Sequence, residues 1–280
     1  MEKPIYFINN QFVEKSKAVI PVDDIGFLRS YAVFDYLKTY FKIPFHLNDH
    51  IERLFSSAKF IGLKVPFNSS EIKEIVFELI KINDFPESSI RLIVTGGTSI
   101  DGKKPGKPNL IVTCEPRNEI PMEFYEKGVK IKTVEDLRET PPIKTINYTM
   151  AVKYLTEFYP LGFFEVLYVS KNKITECTSS NIFFIKNKSL ITPKENILEG
   201  ITRKIIINIC SPMFDIIQRD ISLTELNDFE EAFITSTDKE VLPVISIDNF
   251  VFNKGKVGEK TKSIMKKFQK YIDSRIWINF

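Results

Sequence analysis

Apolar residues along the 280-residue chain recur with two periods, one suited to short strands and one to longer helices. In the first third, residues 5–7 and 34–40 read as short strands. From about residue 48 to 61, Ile51, Leu54, Ala58 and Ile61 repeat at spacings of three and four. That spacing predicts an amphipathic helix with Asn48 as its N-cap. A second helix is predicted after Ser69 and Ser70, burying Ile72, Ile75, Val76, Leu79 and Ile80. Strands at 89–95 and 110–115 flank a loop, 96–108, rich in Gly, Lys and Pro. Such a loop has little to bury and belongs at the surface or at a pocket mouth. Periodicity lapses around residues 116–121. Beyond that point the pattern predicts strands at 129–134, 166–170, 182–185, 190–192, 216–219, 232–235 and 244–247, and helices near 148–158, 201–210 and 259–274. Strands and helices mix without regular βαβ alternation, which predicts an α+β fold in two domains. The expected division is a small α/β domain over 1–117, a linker over 118–122 and a larger domain over 123–280.

Composition narrows the function classes. A chain that is 43% hydrophobic can fill one large core or two modest ones. Lys+Arg 39 against Asp+Glu 36 leaves a net charge of +3 with no long basic block, so neither nucleic acid nor an anionic membrane is an expected partner. No apolar stretch approaches the ~20 residues that cross a bilayer. The N-terminal MEKPIYFINN lacks the regions of a signal peptide, and the expected location is the cytoplasm. Cys114, Cys177 and Cys210 are too widely spaced to read as a disulfide framework or a zinc site. With only His46 and His50 available, no metal site is expected, and a Ser-His-Asp arrangement lacks a GxSxG nucleophile motif.

Four segments of the second half are polar where a core would prefer apolar residues. In the first, Lys144 sits between apolar neighbours, Ile143 and Ile146, at a strand-to-helix transition. A lysine in a partly apolar pocket loses proton affinity and becomes a nucleophile able to form a Schiff base. In the second, Glu176 is followed by Thr178, Ser179, Ser180 and Asn181 and then by a hydrophobic strand, with Asn172-Lys173 expected as the preceding hairpin turn. A carboxylate there suits a ring nitrogen, and the hydroxyl run suits a phosphate. In the third, Leu198-Glu199-Gly200-Ile201-Thr202-Arg203 opens a helix, whose free N–H groups attract anions. The fourth is Thr235-Ser236-Thr237, at the end of an apolar strand.

The order and spacing of these segments, with Lys144 and Glu176 standing 32 residues apart, resemble the class IV (fold-type IV) aminotransferases. That family includes D-amino acid transaminases, branched-chain aminotransferases and aminodeoxychorismate lyases. Residues 24–35, DIGFLRSYAVFD, resemble its N-terminal signature, and His50-Ile51-Glu52-Arg53-Leu54 resembles its HxxRL helix. The resemblance runs from about Asn9 to Ile247. It implies a two-domain enzyme whose larger domain holds a mixed, barrel-like sheet, and pyridoxal 5′-phosphate as cofactor. Lys144 would carry the cofactor and shuttle the proton between Cα and C4′. Glu176 would face the pyridine nitrogen and keep the ring protonated. Arg53, Ile201, Thr202, Ser236 and Thr237 match phosphate-binding positions, and Tyr148 matches a tyrosine that bonds the ring hydroxyl. Ser179, Ser180 and Asn181 would lie beneath the cofactor, beside Leu198 and Gly200. A structural role is expected for His50, beside Arg53.

Substrate choice turns on cations able to hold a carboxylate. Many D-amino acid transaminases carry an Arg-x-His pair in the loop of the small domain. Here residues 98–104 read TSIDGKK, with neither. Arg29 and Arg91 are the alternative cations, and resemble a less common subgroup of D-amino acid transaminases, acting on D-alanine, D-glutamate and their 2-oxo acids. A branched-chain L-amino acid reading competes, with Phe34, Tyr36 and Leu242 as an apolar pocket. An aminodeoxychorismate lyase, or a cofactor-binding protein without turnover, fits less well. The resemblance also implies a homodimer.

Overall fold

The computed structural model describes residues 4–279. They divide into two units. The first unit comprises residues 4–118, 143–147 and 277–279. Its elements are β1 (Ile5–Ile8), β2 (Gln11–Glu14), α1 (Ile25–Arg29), β3 (Ala32–Tyr40), β4 (Ile43–Pro44), α2 (Leu47–Phe60), α3 (Ser69–Asn83), β5 (Ser88–Thr95) and β6 (Asn109–Pro116). The strands form a six-stranded sheet in the order β2-β1-β6-β5-β3-β4. Strand β3 alternates: Val33, Asp35 and Leu37 are buried, and Phe34 and Tyr36 on the other face are half-buried. The buried face packs against α2 and α3 through Val33, Leu37, Ile51, Leu54, Ile72 and Leu79.

Helix α2 is capped two residues earlier than its periodicity suggests. His46, not Asn48, is the N-cap, with a left-handed backbone (φ 51°) and no side-chain cap bond. The turn after β4 sets this entry, and the His46 ring sits 2.7 Å from Asp49 Oδ2. Helix α3 carries a capping box, in which Asn68 accepts from Glu71 N and Glu71 accepts from Asn68 N.

Residues 143–147 belong to the first unit, although the sequence pattern assigned them to the second domain. Backbone bonds decide this. Phe34 N donates to Lys144 O (2.9 Å), Ile146 N donates to Ala32 O (3.3 Å), and Val33 and Thr145 form a bridge. Lys144 therefore rides on an irregular segment beside β3, not on a strand-to-helix transition.

The second unit comprises residues 119–142 and 148–276. It contains α4 (Met122–Lys127), β7 (Val129–Glu135), α5 (Thr149–Phe158), β8 (Glu165–Ser170), β9 (Lys173–Cys177), β10 (Asn181–Lys186), β11 (Ser189–Thr192), α6 (Ile201–Cys210), β12 (Asp215–Gln218), β13 (Ile221–Ser222), β14 (Glu231–Ser236), β15 (Glu240–Ile247), β16 (Phe250–Val251) and α7 (Glu259–Ser274). A ten-stranded mixed sheet runs β12-β11-β10-β14-β15-β7-β8-β9-β13, with β16 on β15. The β8–β9 turn is Lys171-Asn172, both at positive φ, one residue before the expected Asn172-Lys173. Among the described residues no helix is long and apolar enough to cross a membrane, and no group of His, Cys, Asp or Glu could hold a metal ion.

Candidate active site

In the first unit the candidate lysine is fixed through its backbone. Lys144 N donates to Ser57 Oγ (3.1 Å) on α2, and Lys144 O accepts from Phe34 N. Its Nζ lies 4.5 Å from the centroid of the Phe34 ring. Arg91 stands on β5 opposite Tyr36, and its guanidinium lies 6.0 Å from the Phe34 ring and 5.8 Å from the Tyr36 ring. Strand pairing thus gathers Lys144, Phe34, Tyr36 and Arg91. Arg29, at the exposed end of α1, donates to Leu28 O, and no contact among the described residues joins it to Arg91.

The expected phosphate cation of this unit, Arg53, is aimed by a buried carboxylate. Asp35 accepts from Arg53 Nε and Nη2, both at 2.8 Å, a bidentate geometry. His50 Nδ1 is 2.6 Å from the same carboxylate. Burial alone would raise the Asp35 pKa, but Arg53 and His50 outweigh it and hold the carboxyl far below the ordinary range. Burial pushes the His50 pKa down against the pull of Asp35, so the ring is neutral, with its proton on Nδ1 facing Asp35.

In the second unit the candidate carboxylate is clamped at both oxygens. Glu176, next to last in β9, is only 4% exposed. Arg138 Nε donates to Oε1 (2.6 Å) and Leu198 N donates to Oε2 (2.9 Å). The same guanidinium donates to Pro141 O. Asn181, at the start of β10, donates to Leu198 O (2.9 Å) and pairs in the sheet with Thr235. Through Asn181 the Leu198–Gly200 turn is joined to the end of β14, where Ser236 and Thr237 stand. Gly200 allows this close approach, since a Cβ there would meet Asn181 Oδ1 at 2.1 Å. Helix α6 starts at Ile201, and its first N–H groups have no partner within the helix. Arg203 braces this start from beneath, donating to Glu199, Pro193 O and Gln218. Tyr148 is the N-cap of α5, in the same unit, with no side-chain cap bond.

Sequence reasoning missed Asp35, Arg138, Glu165 and Lys239. Glu165 carried a readable signal, since a charged residue opens the otherwise apolar run EVLYV. Asp35 carried another, as an acid on the buried face of a strand. Arg138 lies in an aperiodic stretch, and nothing in the pattern marks it.

Residues 32–247 match the amino-transferase class IV family. A putative branched-chain-amino-acid aminotransferase of Methanocaldococcus jannaschii is 32% identical over 275 residues, covering 94% of this chain and 94% of that protein. The D-alanine aminotransferase of Staphylococcus haemolyticus is 30% identical over 280 residues, covering 96% and 98%. Among solved structures, the Escherichia coli branched-chain amino acid aminotransferase superposes with a TM-score of 0.91 at 24% identity, covering 99% of this chain and 98% of that one. The branched-chain aminotransferase of Thermoproteus uzoniensis gives 0.89 at 25% identity, covering 98% and 96%.

The α+β architecture and these matches define a transaminase. The chain belongs to the class IV aminotransferases, enzymes that use pyridoxal 5′-phosphate to exchange amino groups between amino acids and 2-oxo acids. The residues present fit that group. Thr235 Oγ1 is buried without a hydrogen-bond partner beside Ser236 and Thr237, and the Gly200 turn presents the N–H groups of α6. An ionised carboxylate, hydroxyls and free backbone N–H groups are the donor set that a protonated ring and a phosphate call for.

Proposed function

We propose that Lys144 would hold pyridoxal phosphate and that its Nζ would move the proton at the substrate Cα. The cofactor supplies an electron-withdrawing ring conjugated to the carbon that receives the amino group. Glu176, kept in position by Arg138 and Leu198 N–H, serves the ring nitrogen. The phosphate ligands are Arg53, the N–H groups of Ile201 and Thr202, and the side chains of Thr202, Ser236 and Thr237. Tyr148 serves the ring hydroxyl, and Ser179, Ser180 and Asn181 form the floor. Reduction of the cofactor-loaded protein with borohydride, followed by peptide mass mapping, should find the cofactor mass on Lys144; attachment elsewhere would overturn the assignment.

For the substrate we favour D-alanine, D-glutamate and their 2-oxo acids, with Arg29 and Arg91 holding carboxylates. The observation that carries this is the Phe34 ring, which has the Lys144 ammonium and the Arg91 guanidinium both close to it. A cation able to pair a carboxylate therefore stands one ring away from the reacting amine. Likeness to a D-alanine aminotransferase over nearly the whole chain supports the reading. The rings of Phe34 and Tyr36, and likeness to a protein named for branched-chain substrates, favour the alternative of L-leucine-type side chains. Half-reactions with D-Ala, D-Glu, L-Leu and L-Glu separate the two. In Arg29→Ala and Arg91→Ala the KM for 2-oxoglutarate should rise by about tenfold or more, the worth of one charge-assisted bond. An unchanged KM in both would remove the carboxylate role.

The assembly proposed is a homodimer. Val19, Val22, Phe27 and Ile100 are 74%, 79%, 75% and 105% exposed, apolar side chains that a partner subunit could cover. Light scattering at two concentrations tests it. A cytoplasmic location suits the three free, buried cysteines.

A further inference from the structure

Two buried charged groups of the second unit have no part in the chemistry above. Glu165, the first residue of β8, is 1% exposed, and Lys239, in the turn between β14 and β15, is 9% exposed. Their charges meet, with Lys239 Nζ 2.9 Å from Glu165 Oε2. The carboxylate also accepts from the hydroxyls of Thr178, of Ser179 (3.2 Å) and of Ser180 (3.0 Å). Lys239 Nζ donates to Ser179 Oγ (2.7 Å), and Lys239 N donates to Ser236 Oγ (3.2 Å). The Tyr125 hydroxyl donates to Lys239 O at 3.2 Å, fixing the turn from outside.

Proton bookkeeping gives this network a consequence for the cofactor. A hydroxyl has one proton and two acceptor lone pairs. Ser179 and Ser180 direct theirs at Glu165, so neither hydroxyl donates to a ligand. Ser236 is in the opposite state, since its oxygen accepts from Lys239 N and its proton remains to be given. We infer that Lys239 and Glu165 are positioning residues: they commit the Ser179 and Ser180 protons inward and hold the Ser236 turn so that its hydroxyl donates to the cofactor phosphate. This rests on the reading of Ser236 as a phosphate ligand. It also narrows the role of Ser179 and Ser180 to their backbone. Burying an ion pair costs desolvation that well-packed apolar residues would avoid, so stability alone is a weak reason to keep one here.

The test compares binding of pyridoxal 5′-phosphate with binding of pyridoxal, which lacks the phosphate, to the apoprotein. The ratio of the two Kd values isolates the phosphate contacts, and a general loss of stability would not change it. In Lys239→Met the advantage of the phosphate form should fall by about tenfold, the worth of one hydrogen bond to a charged group. Lys239→Arg should retain it, as should Ser179→Ala and Ser180→Ala. Ser236→Ala should lose it as fully as Lys239→Met. If Ser236→Ala lowers the ratio and Lys239→Met leaves it within about twofold of wild type, the positioning role is overturned, since the lost bond is worth more than that. If Ser236→Ala leaves it unchanged, the phosphate assignment falls, and the inference with it. Should Lys239→Met fail to fold, the double variant Glu165→Gln/Lys239→Met leaves no lone buried charge and carries the same comparison.

Discussion

The two units hold their reactive groups in opposite ways. Lys144 is secured through its main chain, by bonds to Ser57, Phe34 and β3, and its Nζ lies over an aromatic ring. Glu176 is secured at the carboxylate itself, with Arg138 on one oxygen and the Leu198 N–H on the other. The difference follows the work proposed for each. A group that passes a proton needs an anchored base and a side chain able to change partners. A group that must stay ionised in one place needs its charge neutralised and its rotamer fixed. The supporting shells follow suit. Glu176 and Glu165 are each met by a buried or half-buried cation in the second unit. In the first unit the buried carboxylate of Asp35 aims an arginine and not the lysine, and the other buried one, Asp24, accepts from Gly26 N at the start of α1.

That contrast can be broken by substitution. Lys144→Ala should lower turnover by about 10³-fold or more, the range for loss of a positioned acid–base group. It should lower the unfolding midpoint less than Arg138→Met does, because the bonds of Lys144 N to Ser57 Oγ and of Lys144 O to Phe34 N survive the substitution. Arg138→Met should do the reverse in emphasis. It strands Glu176 as an uncompensated charge and should cost about 3 kcal/mol of stability in denaturant unfolding. Arg138→Lys should recover only part, since a point charge cannot serve both Glu176 and Pro141 O as the planar fork does. Equal destabilisation by Lys144→Ala and Arg138→Met would contradict the distinction. A smaller effect is expected at Gly200→Ala, where the new Cβ meets Asn181 Oδ1. Overpacking of this kind costs about 1–3 kcal/mol, and it should loosen the cofactor as the Leu198–Gly200 turn shifts. Cofactor Kd and unfolding midpoint together would show it.

How far the sequence disclosed these arrangements depended on whether a feature was periodic. Helices α6 and α7 were predicted at their observed bounds, because 3.6-residue patterning runs uninterrupted to a capping glycine at Gly200 and Gly258. Strand β9 was hidden, since Thr175 and Glu176 are polar yet buried, and α1 was too short to show a period. Glu176 and the Gly200 turn were legible at element ends, and Lys144 through its spacing from Glu176. Their partners were not, because a partner is chosen by tertiary contact. Arg138 is 38 positions from Glu176, and Lys239 is 60 from Ser179. The membership of residues 143–147 in the first unit was equally invisible, as the bonds of Lys144 and Ile146 to β3 and of Lys144 N to Ser57 Oγ are tertiary contacts that no local pattern marks.

The mildest perturbation is pH, and it separates the units most cleanly. Both histidines of the chain, His46 and His50, lie in the first unit. Burial lowers the His50 pKa below its ordinary 6.5, against attraction from Asp35 and with Arg53 and His46 opposing its protonation. Below pH 6.5 the unfolded chain therefore takes up a proton that the folded first unit refuses, and stability falls as pH drops toward the folded value. Asp35 acts in a lower window. Its pKa lies below the ordinary 3.8, so the stability it contributes is complete above 3.8 and is lost only as pH falls through the folded value. Between pH 7 and 5, then, His50 alone of this buried set should tilt the curve. Hydrogen exchange, corrected for intrinsic rates, should show protection declining in α2 and β3 over that range while β9 and β10 hold theirs. His50→Gln cannot titrate but can still donate to Asp35, and it should flatten the decline. If the slope survived in His50→Gln, the loss would have to come from a group outside the Asp35–His50–Arg53 cluster.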